Sequence, residues 1–193
     1  MCAQTKLQTF TSPDGVFQFK YSPALVHCTR GRTKAGDPGS WLQAECSSQD
    51  PVCDDDASSG ATIVCFAYPK DKFKNKPAFD ASAFFVAEVP AAATPKACLE
   101  GSQDWLVGDS QAAAINGIKS KVFHTSDAWL GGGIDGEIYR VFHANKCYEI
   151  GIQDATSSTG SYDPGTFEEF TEHDAVEVRA RLQEPLDSFT FLK

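Results

Sequence analysis

The chain has 193 residues, 41% of them hydrophobic, enough for a single domain with a sizeable core that needs no metal to fold. Its formal net charge of −9 argues against nucleic acid and other polyanions as partners, because such binding draws on Lys and Arg neutralising phosphates. No run of 18 apolar residues is present, so no transmembrane helix is expected.

The chain starts "MCAQTKLQTF", with neither a basic region nor an apolar stretch of a signal peptide. Yet it holds seven cysteines, at positions 2, 28, 46, 53, 65, 98 and 147. That number suits an oxidising compartment. The reading that reconciles the two is a signal peptide already removed. Met1 is then an added start, residues 1–11 are an N-terminal tail, and residues 12–193 form one domain. Cys2 is the odd cysteine, placed where a lipid anchor would attach to a bacterial exported protein.

Ser12-Pro13-Asp14-Gly15 is turn chemistry. In the strand that follows, Phe17 and Phe19 alternate with Gln18 and Lys20, so one face is buried. Ser22-Pro23 breaks it, and Leu25-Val26-His27-Cys28 resumes an extended path. Residues 30–60 are irregular and rich in Gly, Ser and Asp, with a candidate strand at 41–46. They form an insertion carrying Cys46 and Cys53.

Within this insertion Asp54, Asp56 and Ser58 imitate the first half of a calcium loop. Ser59 stands where that loop needs glycine, and Cys65 where it needs glutamate, so an EF-hand is excluded. A weaker calcium site is the reading left to these three residues, against a solvated acidic loop.

Strands are expected at 61–69 and 81–90, each ended by a proline. "KDKFKNK" at 70–76 reads as a solvated lysine-rich loop. Thr94 suits a cap and Pro95 the first helical position, giving a short helix from 94. Residues 115–132 read as a strand that runs into the glycine-rich bend at 131–133. That bend lacks the spacing of a phosphate cradle.

"IYRVFHANKCYEIGIQ" (138–153) reads as a hairpin. With Asn145-Lys146 as its turn, His143 faces Tyr148, Val141 faces Ile150 and Tyr139 faces Ile152, all on one core face. Cys147, Glu149 and Gly151 then point the other way. Thr166 and Glu169 fit a capping box, and a helix is expected over 172–184, ended or kinked by Pro185. Strands joined by hairpins, with helices set apart, make the fold class α+β, an antiparallel sheet.

The cysteines are read as three disulfides, since zinc sites favour closer pairs and no C-x-x-C occurs. Cys147, on the outer hairpin face beside a turn, is placed to hold the short helix through Cys98. Cys28–Cys65 then joins early strands, and Cys46–Cys53 closes the insertion. No catalytic set is evident: His27 and Cys28 are strand neighbours and point to opposite faces.

"FTSPDGVFQFKYSP" near the start, and "SFTF" after the last helix, resemble the family with the fold shared by the photosystem II extrinsic protein PsbP and the Ran-binding Mog protein. "YRVFHANKCYEI" resembles the late hairpin of small exported bacterial members. The resemblance implies an antiparallel sheet flanked by helices, an α/β/α sandwich, with no established catalytic constellation. No calcium, manganese or Ran-contact motif is matched residue by residue. The expected function is an exported, monomeric, non-enzymatic domain, periplasmic or extracellular, that needs no cofactor and binds a protein or envelope partner or assists assembly. Two alternatives stand beside it: a hydrolase using scattered groups among His27, His124, His143, Asp127 and Glu149, and a calcium-dependent module through the 50–60 loop.

Overall fold

The computed structural model describes residues 6–28, 61–100, 106–160, 163 and 165–192. Cys2, the candidate strand at 41–46, Cys46, Cys53, and the calcium candidates Asp54, Asp56 and Ser58 lie outside them.

The alternation at 17–20 does what its pattern dictates. Phe17 and Phe19 are buried while Lys20 is exposed, in strand β2 (Phe17–Tyr21). Residues 8–11, expected in a tail, instead form β1 (Gln8–Thr11), antiparallel to β2. The cause is Phe10, whose ring stacks on Phe19 at 5.0 Å and meets Phe66 edge-on at 5.6 Å. Such pairs add to plain area burial. A two-residue strand, β10 (Thr190–Phe191), completes this small sheet in the order β1-β2-β10.

The large sheet contains β3 (Val26–Cys28), β4 (Ala61–Ala67), β5 (Phe79–Glu88), β6 (Leu106–Ile115), β7 (Ile118–Trp129), β8 (Gly132–His143) and β9 (Lys146–Ser157). Its order is β3-β4-β5-β9-β8-β7-β6, with every neighbouring pair antiparallel. The molecule is therefore dominated by sheet. Among the described residues two α-helices accompany it, α1 (Pro95–Glu100) and α2 (Glu172–Ser188). Helices flank the large sheet only in part, because the small sheet shares one face with α2. Phe17, Phe19, Phe84, Ile150, Ile152, Val178, Leu182 and Leu186 form the core between them.

Two turns differ from expectation. Asn116-Gly117, both at positive φ, is the β6–β7 turn and cuts the strand expected over 115–132. Such a pair is the residue choice of a tight hairpin turn. At the β8–β9 hairpin the turn is Ala144-Asn145 and not Asn145-Lys146, with φ of 47° and 62°. His143 thus pairs with Lys146, Val141 with Tyr148 and Tyr139 with Ile150. The shift is two residues, so the faces are as expected although the partners are not. The expected register would set Arg140 against Gly151 and Glu149 against Phe142. The observed one sets Arg140 against Glu149 and pairs their charges.

The cap of α2 is also displaced. Thr171 and Asp174 form the capping box, and Thr166 instead donates its hydroxyl to the Asp163 carbonyl. Pro185 does not end the helix, which runs on to Ser188. Lacking an N–H, the proline forgoes the bond to the Arg181 carbonyl, a loss confined to one position near the helix end. Ser188 accepts from the Lys20 amide and donates to the Glu184 carbonyl there.

Asp174 has a second partner. Lys76, from the loop read as merely solvated, donates to it at 2.6 Å. That bond, with those from the Thr171 amide and hydroxyl, lowers the Asp174 pKa from 3.8 to about 2. The carboxylate is favoured in the fold, so its stabilisation is complete above the ordinary pKa and fades as pH falls toward the folded value. The melting difference between the native chain and Asp174→Asn is expected to be constant above a pH of roughly 4, and to close between there and a pH of about 2. Equal acid limbs for the two proteins would contradict the assignment.

Gly136 on β8 shows how tightly the strands pass. A Cβ there would lie 2.5 Å from the Ile152 carbonyl oxygen and 2.7 Å from Gln153 Cγ. Gly136→Ala is expected to cost about 1–3 kcal/mol in urea unfolding, as overpacking does. Gly160→Ala, whose Cβ meets only Ser158 Oγ at 3.4 Å, is the control and is expected to stay within about 0.5 kcal/mol.

Candidate functional site

The groups that could carry chemistry are spread over the sheet by its register. His143 sits at the end of the β8–β9 hairpin, stacked on Phe191 at 3.8 Å. His27, on β3, stacks on Phe66 at 4.6 Å, and burial lowers its pKa. His124 and Asp127 lie on β7 at positions of opposite parity, so they face opposite sides. Asp127 accepts from the Ala128 amide. Glu149 is fully buried against Arg140. These five candidates do not converge.

A polar junction forms where α2 crosses β8 and β9. Arg179 Nη2 donates to Glu137 at 2.7 Å, and Nη1 lies 3.7 Å from Asp154. The other oxygen of Glu137 is 3.9 Å from His124 Nδ1, its cross-strand neighbour. That gap exceeds hydrogen-bond reach, so no proton-transfer pair is made there. Burial raises the Asp154 pKa, against hydrogen bonding from Ser82 and the charge of Arg179. Burial and the nearby Glu137 likewise raise that of Tyr139. The arrangement anchors α2 to the sheet.

The opposite face of the sheet carries the disulfide. Cys98 of α1 and Cys147 of β9 are bonded, with Cα atoms 5.5 Å apart. Both are buried with Val89 and Ala92. Thr94 accepts from the Ala97 amide and starts the helix that presents Cys98. Cys28 and Cys65 stand opposite each other on β3 and β4, and each is disulfide-bonded. The Cys46–Cys53 pairing lies outside the described residues.

An open hollow of about 510 Å³ lies between the 74–77 loop and residues 165–168, lined by Lys74, Asn75, Pro77, Thr166, Phe167 and Glu168. Among the described residues, no three His, Cys, Asp or Glu side chains come together in a way that could hold a metal ion. Again among those residues, no helix is long and apolar enough to cross a membrane.

Sequence reading missed two features. One is the Arg140–Glu149 pair, which becomes visible only with the right register. The other is the free edge at β6, which follows from β6 standing last in the strand order.

No family model matches the chain, and no curated protein matches it. Among solved structures, it is similar to cyanobacterial PsbP (CyanoP) from Synechocystis sp. PCC 6803, at 11% identity and a TM-score of 0.43, covering 98% of this chain and 95% of that one. It is similar also to the Saccharomyces cerevisiae Ran-binding protein Mog1p, at 11% identity and a TM-score of 0.41, covering 98% of this chain and 97% of that one.

Proposed function

We propose that the protein is an exported domain that acts as a monomer by binding a protein or cell-envelope partner, without chemistry of its own. The observation that carries this reading is the commitment of its reactive side chains to structural contacts. His27 and His143 are stacked on aromatic rings, Glu149 is held by Arg140, and Asp174 caps a helix. The disulfides support export, because such bonds persist in oxidising compartments.

The test is site-specific cross-linking of the full chain in intact cells, with mass mapping of the unreduced protein. A discrete heterologous partner and a closed Cys98–Cys147 bridge are expected. Turnover of an ester or amide substrate that is lost in both His124→Ala and Glu137→Gln would replace this reading with the hydrolase.

A further inference from the structure

The free edge of the large sheet at β6 has the features of a strand-docking site. We infer that it takes up an extended segment of a partner protein that carries acidic residues at alternate positions. The inference rests on the partner-binding reading and specifies its surface.

The edge is open at the level of backbone. β6 is last in the strand order and pairs with β7 alone. Ile115 and Ile118 flank the two-residue turn and make the first hydrogen-bonded pair of the ladder. Alternate residues therefore turn their backbone toward β7 at 115 and 113, and away from it at 114 and 112. The N–H and C=O of Ala112 and Ala114 point outward. Among the described residues nothing pairs with them. Natural sheets guard such edges with prolines, lysines or very short strands. The opposite edge obeys this rule, since β3 has three residues. β6 has ten, and its regular part, Gln111–Ile115, holds neither proline nor lysine.

The side chains specify the occupant. In register, Lys121 lies beside Ala112 and Lys119 beside Ala114. Neither lysine makes an ion pair among the described residues, on a chain whose net charge is −9. The two alanines are exposed stubs that leave the lysines approachable from the edge. A strand added to β6 would lie about 4.8 Å away. Its side chains on that face would meet alanine methyls, with the lysine ammonium groups just beyond. Acidic residues at every second position fit this arrangement. On the other face Gln111, Ala113 and Ile115 offer no charge.

A second copy of this chain fits poorly. The regular part of its own β6 edge holds Gln111, three alanines and Ile115 and no carboxylate, so the lysines of both copies would stay without an acidic partner. The acidic remainder of the surface repels an acidic segment elsewhere, which favours this edge through charge alone. Backbone pairing supplies affinity and the lysines supply selectivity, as in other strand-addition complexes.

The probe is a fluorescein-labelled ten-residue peptide in which Glu alternates with Val and Thr, read by anisotropy against the full chain. Its control has Lys in place of Glu. Binding of the Glu peptide, weakening as salt rises, is expected, with none by the Lys peptide. Ala114→Pro removes an outward donor but no ladder bond, so it is expected to abolish binding and leave the melting temperature unchanged. Lys119→Glu with Lys121→Glu is expected to weaken binding about tenfold, equivalent to ~1.4 kcal/mol. This pair keeps the test decisive if the proline variant fails to fold.

Equal binding of the two peptides, or native-like binding by both variants, would overturn the inference. Sedimentation showing self-association that Ala114→Pro dissolves would also overturn it, by making the occupant a second copy. A chain with Cys98–Cys147 closed that ignores the peptide defeats the edge alone, whereas free thiols at both positions defeat the export reading alone.

Discussion

Arg140→Ala is expected to destabilise the protein by about 3–5 kcal/mol, a large share of a typical domain's ~5–15 kcal/mol. Arg140 is 2% exposed and Glu149 is 0% exposed, on the adjacent strands β8 and β9. Nε of the guanidinium donates to Glu149 Oε1 at 2.9 Å, Nη2 lies 2.9 Å from the same oxygen, and the guanidinium carbon sits over the Phe123 ring at 4.9 Å. Truncating the arginine takes away the cation that faces this carboxylate across the strands in the sheet interior. Most of the loss is the cost of keeping that desolvated charge once the cation is gone, not the net worth of the pair. The check is therefore comparative. Arg140→Met combined with Glu149→Leu removes both charges and keeps volume, so it is expected to cost less than Arg140→Ala alone. Urea midpoints for the two single variants and the double give the coupling directly. Additive losses, or a cost below about 1 kcal/mol for Arg140→Ala, would show that the pair is not desolvated.

The same pair shows what the sequence could and could not carry. The face of each residue in the 138–153 hairpin was legible, because strand parity is a local property and apolar residues mark the core side. The register was not. Asn145 can take positive φ from either position of the turn, and local chemistry prefers Asn145-Lys146 to Ala144-Asn145. The choice falls to long-range packing, including the meeting of Arg140 with Glu149. The capping box shifted from Thr166 to Thr171 for a related reason. Both stretches fit a local pattern, and only the latter also meets Lys76 from a loop 98 residues away. Phe10 is a further case: nothing near it in sequence indicates that its ring packs on Phe66. Of the candidate site, scattered histidines were legible as residues, but their separation follows from a strand order that no local pattern encodes. The open edge at β6 depended on knowing that β6 comes last in that order.

Removing the Cys98–Cys147 bridge is expected to cost about 2–4 kcal/mol, with the chain-entropy estimate for a closed loop of this length near the upper figure. The two residues are 49 apart in sequence, so the bond withholds considerable freedom from the unfolded chain. Cys98→Ala with Cys147→Ala is the appropriate variant, since both sulfurs are buried and a serine there would strand a hydroxyl. At roughly 2–4 °C per kcal/mol for a chain of this size, the melting temperature should fall by about 5–15 °C. The loss should also be uneven. α1 has only six residues, too few to be stable alone, and Cys98 is its buried residue. β9 keeps its ladders to β5 and β8, and the Val89 amide still donates to the Cys147 carbonyl. Amides of residues 95–100 are therefore expected to exchange with solvent much faster in the double variant, while those of Ile150 and Ile152 keep the protection set by global unfolding. A fall in melting temperature without faster exchange in α1 would place the stabilisation wholly in the unfolded chain. Unchanged melting and unchanged exchange would mean that packing of Cys98 and Cys147 against Val89 and Ala92 already holds α1 without the bond.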